Sequence, residues 1–391
     1  MGHNIRHEGE LTVVELHGSV NSANSNELEA ALAGEPAGEE GMILDANDLT
    51  FISSAGLRVI LGAKKRCGGK VFRIINVNDE VMNVFDVTGF SEIMDISRAV
   101  RTLSVEGCDK IGAGACGEVF RLDDETIIKL YYPRVKQEEI EQEKDLAKKA
   151  FVMGVPTAIS YDIVEADGRT GVVYELIKSK TLSELIREDN SKLEEYVDMY
   201  ADVCRQIHVI GAEPGQLPDF KDLNRVDIPN VTGITDEERE YLYRFLELVP
   251  NRMNCLHGDL NINNIMVQNG ECCLIDMGEF STGTPMFDLS RIVFSMEFAA
   301  PAEGEFNEFY KMPQTTIKRI KELFLKKYFG CGSLKEAEKK DPDAAWLYPL
   351  TWFRCCTSLL KGDRWGQEKR DMALEILRTK LIPFIDEKLS R

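Results

Sequence analysis

CLHGDLNINNIMVQNGECCLIDMGEF (255–280) decides how the rest of the chain is read. Apolar runs hold three polar groups in a fixed order: Asp259, Asn264 five residues on, and Asp276 beyond a hairpin-like NGE turn. An Asp beside an attacking hydroxyl can take its proton, while an Asn amide oxygen and a second carboxylate supply hard oxygen ligands that suit Mg²⁺. Taken singly, each has a plainer reading, with Asp259 and Asn264 as turn caps and Asp276 as a turn residue. Their occurrence in order, with the upstream features described next, favours the chemical reading. His257, one of five histidines, is expected to orient the loop through a hydrogen bond. With no second His or Cys at ligand spacing, no zinc site is expected.

Upstream, IGAGACGEVFRL (111–122) places Gly112, Gly114 and Gly117 in G-x-G-x-x-G-x-V spacing between two strand-like runs. Glycines let a backbone turn tightly and bring its N–H groups against phosphate oxygens, although a Gly-rich hairpin turn is the bland alternative. A dinucleotide-binding βαβ unit fits worse, because TIIKLYY (126–132) continues as strand where that unit needs a helix. Lys129 in TIIKLYY can project under the loop toward phosphates, although a single lysine is more often solvated. The following helix offers Glu138, Glu139, Glu141 and Glu143. Glu143, eleven residues before Gly154 in GVPTA, suits an inward position from which to pair Lys129.

The chain has 391 residues, enough for two or three folded units. Its 43% hydrophobic and 29% charged residues are those of a globular protein rather than a disordered, fibrous or membrane-embedded one. A formal charge of −19 repels phosphate backbones and anionic lipid surfaces, so neither a nucleic-acid nor a membrane partner is expected. A local nucleotide pocket is still allowed, since a site a few ångströms across answers to its own residues. Ten cysteines without a C-x-x-C read as reduced core thiols. MGHNIRHEGE lacks an apolar signal region, and no stretch approaches the roughly 18 apolar residues of a membrane span, so a cytoplasmic protein is expected.

Residues 1–100 alternate strand patterns (11–20, 41–49, 70–77) with helix patterns (24–33, 55–66, 79–87), which predicts an α/β unit. Asn78 is the expected cap of the third helix. Residues 101–391 read as a strand-rich part followed by a mostly helical one, from LSELIREDN (182–190) onward. AAWLYPLTWFRCCTSLL (344–360) carries apolar residues at helical spacing and reads as core packing.

On these motifs, residues from about 104 to at least 300 resemble the protein-kinase-like superfamily, in its aminoglycoside phosphotransferase and choline kinase branch. HGDLNINNIM looks like that branch's H-G-D-x-x-x-x-N catalytic loop, and LIDMGE stands where protein kinases carry D-F-G. The resemblance implies a two-lobed α+β domain, with a strand-rich lobe of about 104–177 and a helical lobe of about 178–391. It also implies ATP and Mg²⁺ as cofactors, Asp259 as catalytic base, and Asn264 and Asp276 as metal ligands. Gly112, Gly114, Gly117 and Lys129 would meet the phosphates, with Glu143 pairing Lys129. In YELIKSKTL (174–182), Glu175 and Ile177 stand where the hinge offers backbone groups to adenine. Asp288 in FDLSR resembles an aspartate that braces the catalytic loop. Met277 replaces the usual aromatic or similar residue, and there is no A-P-E segment or long activation loop, which argues against a loop-regulated protein kinase.

LTFISSAGLRVIL (49–61), preceded by MILDAN, resembles the phosphorylation loop of STAS domains of the anti-sigma-factor antagonist type, and VFDVTGF (84–90) resembles their helix-to-Gly ending. Alignment by Gly56 places the phosphoacceptor at Ser54, where helix-end N–H groups would stabilise added negative charge. Ser53 and Ser54 are equally good helix caps. The family commonly has Asp before the acceptor, and Ser53 there is the alternative acceptor.

The expectation is thus an α/β STAS-like domain (1–100) followed by an α+β two-lobed kinase-like domain (101–391) that transfers phosphate from MgATP to a small-molecule hydroxyl acceptor. An acidic acceptor groove would suit a cationic acceptor such as an amino sugar or amino alcohol. Two signalling alternatives stay open: phosphorylation of the STAS serine, or a catalytically quiet nucleotide sensor whose STAS domain binds an anti-sigma-type protein partner.

Overall fold

The half-buried run LTVVELHGSV is a strand, and the nearly wholly exposed segment before it joins its edge. β1 (Gly2–Glu8) pairs antiparallel with β2 (Leu11–Val20), Gly2 lying opposite His17. These strands come from a computed structural model of the protein that describes residues 2–34, 37–301, 305–362 and 365–390. Two compact units divide the chain, Met1–Leu103 and Ser104–Arg391.

In the first unit, α1 (Ser25–Gly34) leads to β3 (Gly41–Ile52), α2 (Ser54–Arg66) to β4 (Val71–Val77), and α3 (Asp79–Val87) to β5 (Asp95–Arg98). The sheet order is β1-β2-β3-β4-β5, parallel from β2 onward, as helical crossovers require. Leu16, Leu28, Leu44, Ile60 and Phe85 are fully buried at its core. Asn78 caps α3 by accepting from the Val81 N–H at 2.9 Å. Hydropathy did not announce β1 or β5: the first buries almost nothing, and the second has only four residues.

In the second unit, β6 (Lys110–Ala113), β7 (Gly117–Arg121) and β8 (Thr126–Tyr131) precede α4 (Gln137–Val152), followed by β9 (Ser160–Ala166) and β10 (Arg169–Glu175). They pair antiparallel in the order β9-β10-β8-β7-β6, which sets Lys129 opposite Val172 and Val119. The remainder is mainly helical: α5 (Leu182–Glu188), α6 (Leu193–His208), α7 (Asp236–Leu248), α8 (Met286–Val293), α9 (Gln314–Phe329) and α10 (Leu347–Leu359). Its core gathers Tyr200, Phe245, Leu256, Phe287, Phe324 and Phe353.

Short strands interrupt these helices. β11 (Asn254–Leu256) pairs with β14 (Ser281–Gly283), and β12 (Ile265–Gln268) with β13 (Glu271–Leu274). Asn269 and Gly270 join β12 to β13 with φ of 53° and 84°, the left-handed pair that a tight hairpin turn selects. The cysteines depart from the core expectation. Cys67, Cys204, Cys255, Cys355 and Cys356 are buried, whereas Cys116 is exposed and the other four are intermediate.

Candidate active site

The short ladder β11–β14 fixes the two ends of the segment from His257 to Phe280, and its polar groups converge between them. Gly258 has φ of 84°, and a Cβ there would lie 2.4 Å from that of Glu279, so the turn after β11 accepts only glycine without rearrangement. Asp288, fully buried on α8, accepts from the N–H groups of His257 at 2.9 Å and Gly258 at 2.8 Å. His208, at the end of α6, reaches the same carboxylate at 3.1 Å, while its Nδ1 lies 2.9 Å from the Tyr328 hydroxyl. A carboxylate only accepts, so His208 carries its proton on Nε2 toward Asp288. Burial pushes the Asp288 pKa up, but the hydrogen bond and charge of His208, with His257, outweigh it and hold the pKa below its ordinary value.

His257 accepts the Asp259 N–H on Nδ1 at 3.2 Å and presents Nε2 to the Ile275 carbonyl at 3.1 Å. It therefore ties the residue before Asp276 to the start of the loop. Asn264 donates through Nδ2 to the Asp259 carbonyl at 2.9 Å, with Asp259 Oδ2 at 3.3 Å. Its amide nitrogen is thereby committed to Asp259, and its oxygen is the atom left for a ligand. The Tyr200 hydroxyl anchors the loop from below through the Leu260 carbonyl at 2.7 Å.

Asp276 is held at φ of 65°, a left-handed conformation uncommon outside glycine. Lys129 Nζ, on β8, lies 2.6 Å from Glu143 Oε1 on α4 and 3.1 Å from Asp276 Oδ1. Burial works against the Lys129 charge, but Asp276 and Glu143 outweigh it and hold the ammonium pKa above its usual value. Burial likewise pushes the Asp276 pKa up, and the Lys129 charge brings it below its ordinary value. Tyr174 donates to Glu143 Oε1 at 3.5 Å, and the Lys129 ammonium lies 5.3 Å from the centre of the Tyr131 ring.

The Gly-rich segment is the β6–β7 turn, closed by Gly114 N–H on the Gly117 carbonyl at 2.9 Å. Packing requires Gly117, where a Cβ would lie 2.5 Å from the Leu130 carbonyl oxygen, but nothing within 4 Å crowds a Cβ at Gly114. Gly112 would make only ordinary contact with Val119. Glu175 ends β10, its N–H on the Ile159 carbonyl at 2.9 Å, and the Ile177 carbonyl accepts from Ser179 N–H at 2.8 Å. Lys129 thus joins Glu143 and Asp276 in one ion-paired group and Asn264 joins Asp259 in a second, the two linked through His257 and the backbone of Ile275, with Glu175 and Ile177 on the strand that flanks Lys129 and the segment leaving it.

One arginine joins these groups, and the helix that packs on α8 carries another. Arg291 on α8 sets Nε 3.0 Å from Asp259 Oδ1 and pairs through Nη1 with Glu279. Arg354 on α10 lies 5.8 Å from the centre of the Phe220 ring, which packs 4.8 Å from that of Phe287. Sequence reasoning missed His208 and Arg291. FDLSR held a signal for Arg291, three residues after the bracing Asp288 and so on the same face of a helix.

The donor chemistry suits Mg²⁺: Asn264 and Asp276 offer hard oxygens, with Lys129 beside them for phosphate. Among the described residues no group of three His, Cys, Asp or Glu side chains could hold a metal ion, so such an ion would need further oxygens from a nucleotide and water.

In the first unit Ser53 caps α2 by accepting from Gly56 N–H at 3.4 Å, and Ser54 is the exposed first residue of the helix.

Comparison with known proteins matches residues 108–323 to the model of a phosphotransferase enzyme family and residues 3–103 to that of the STAS domain. BtrV of Bordetella bronchiseptica, assigned as an anti-sigma factor antagonist, is 38% identical over 87 residues, which is 22% of this chain and 75% of that protein. Similar solved structures include the ADP-bound aminoglycoside phosphotransferase APH(2'')-Ib, at 15% identity and TM-score 0.47, over 71% of this chain and 94% of that one. Another is a choline/ethanolamine kinase family protein from Mesorhizobium loti, at 13% identity and TM-score 0.44, over 72% and 91% of the two chains.

Proposed function

We propose, from the premise that the chain belongs to the phosphotransferase enzyme family and carries a STAS domain ahead of it, that it transfers the γ-phosphoryl group of ATP, with Mg²⁺, to a hydroxyl of a small molecule. The carrying observation is the cluster that links Lys129 to both Glu143 and Asp276 while Asn264 holds Asp259.

In this reading the strand-rich lobe is about 104–177 and the helical lobe about 178–391. Lys129, fixed by Glu143, meets the nucleotide phosphates, and the loop of Gly112, Gly114 and Gly117 lies over them with backbone N–H groups. Glu175 and Ile177 offer backbone groups to adenine. Asn264 Oδ1 and the Asp276 carboxylate hold Mg²⁺, whose positive charge, when it is bound, offsets that of the phosphates. Asp259 orients the acceptor hydroxyl and takes its proton as the new P–O bond forms and the bond to the β–γ bridging oxygen breaks, releasing ADP. Asp259→Asn should abolish ADP formation while MgATP still raises the thermal unfolding temperature. Undiminished ADP formation would remove Asp259 from the mechanism.

A second role belongs to the STAS domain. We propose Ser54 as a phosphoacceptor that tunes binding of a protein partner, because Ser53 takes the capping role and leaves the Ser54 side chain exposed. Phosphopeptide mapping after incubation with MgATP tests it, and label on Ser53 alone would reassign the site. Ten free cysteines fit a reducing cytoplasm. Among the described residues no helix is long and apolar enough to cross a membrane.

A further inference from the structure

A buried hydroxyl stands unused beside the ion pair that holds Lys129. Tyr131 is 2% exposed, and among the described residues its phenol oxygen has no hydrogen-bond partner. It follows Lys129 by two residues on β8, so both side chains leave the same face of the strand, and the ammonium is 5.3 Å from the centre of the Tyr131 ring. Tyr131 packs with Val172 on β10 and Ile140 on α4, with Tyr174 against them. Ile140 comes three residues before Glu143 and shares its face of α4, so these side chains lie beside the Glu143 carboxylate. Lys129 at 2.6 Å and Tyr174 at 3.5 Å both address Glu143 Oε1, the second at the outer limit of a hydrogen bond. Burial first, then the nearness of Tyr174 and Glu143, push the Tyr131 phenol pKa far up, so the group keeps its proton and can act as a donor. A phenylalanine would fill the same space without burying an unpaired polar atom, so the hydroxyl is unfavourable in this arrangement.

We propose that Tyr131 is a positioning residue for the nucleotide: as phosphates draw the Lys129 ammonium toward themselves, the Tyr131 hydroxyl donates a hydrogen bond to the Glu143 carboxylate and keeps that side chain in place. This rests on Lys129 meeting the phosphates, and it deepens that reading. Without nucleotide, Lys129 divides its charge between Glu143 and Asp276. Phosphate oxygens add a third claim on it, and Glu143, with its side chain 14% exposed, then loses part of the charge that compensates its burial. A neutral O–H restores a hydrogen bond to the carboxylate without competing with the phosphates for the ammonium.

Calorimetric titration of the full chain with MgADP, beside urea unfolding without nucleotide, tests this. Tyr131→Phe removes the hydroxyl alone. The free variant should be no less stable than wild type, because the lost group has no partner there. Its dissociation constant for MgADP should rise about tenfold, the contribution of one hydrogen bond to a charged group. In turnover, KM for MgATP should rise in step while kcat changes by less than about twofold. With Glu143→Leu already in place, Tyr131→Phe should weaken MgADP binding no further, since the carboxylate it serves is gone. A destabilised free variant would show that the hydroxyl is already satisfied, an unchanged MgADP affinity that it never reaches the carboxylate, and an equal loss in both backgrounds that it acts elsewhere; each overturns the proposal. Wild-type protein that does not bind MgADP removes the nucleotide reading and the proposal with it, and that control separates the two failures.

Discussion

Arg291 and Asp259 form an ion pair, Nε to Oδ1 at 3.0 Å, across the site, so the proposed base already carries a cation on one oxygen while Asn264 Nδ2 lies 3.3 Å from the other. Asp259 is therefore oriented from both sides before any substrate reaches it. Arg291→Met removes the cation that Asp259 shares with Glu279. ADP release should fall about tenfold or more, with the stabilisation by MgADP unchanged. Unaltered turnover would make Arg291 a structural pair only.

Lys129 and Glu143 are mostly buried, with side chains 19% and 14% exposed, so their pairing is not the weakly coupled surface kind. In a double-mutant cycle of Lys129→Met and Glu143→Leu, denaturant unfolding should give a coupling of about 1–2 kcal/mol. Lys129→Met should also lose most of the MgATP thermal increment. Additive stabilities would show that Glu143 does not hold the lysine.

Asp288 braces the catalytic loop through two backbone N–H groups and His208. Its folded pKa is depressed, so its contribution to stability is fully present above the ordinary carboxylate value of about 3.9 and is lost as pH falls through the lower folded value. Asp288→Asn keeps one acceptor oxygen and loses the charge. It should cost about 3 kcal/mol at pH 7, and the gap to wild type should narrow as pH drops below about 4. An unchanged gap in urea titrations at pH 7 and pH 3 would rule out Asp288 as the group responsible.

Asp259, Asn264 and Asp276 were legible because their spacing in one segment of 26 residues is itself the geometry: a turn, a hairpin and a second turn leave them little freedom. Glu143 was singled out by its distance from the end of the helix, since Glu139, one turn earlier, shares its face and only the position along α4 separates the two. His208 ends an amphipathic helix some 50 residues before the loop it braces, a pairing that sequence spacing does not encode. β1 was missed for a simpler reason: an edge strand that buries nothing leaves no hydrophobic period to read.

Ser53 and Ser54 are adjacent and equally good caps by type, yet they occupy different positions. Ser53 accepts the Gly56 N–H and Ser54 is exposed at the first helical residue. Ser53→Ala should therefore cost about 1 kcal/mol of the first unit's stability, because one helix-end N–H loses its acceptor. Ser54→Ala should stay within about 0.5 kcal/mol. Ser54→Asp adds negative charge where the helix dipole and free N–H groups favour it, and should stabilise α2 by about 0.3–1 kcal/mol at low salt. Urea unfolding of the full chain, followed by a probe in the first unit, separates the three variants. Equal losses in the two alanine variants would mean that both hydroxyls cap the helix, and Ser54 would then have no exposed hydroxyl to offer a kinase.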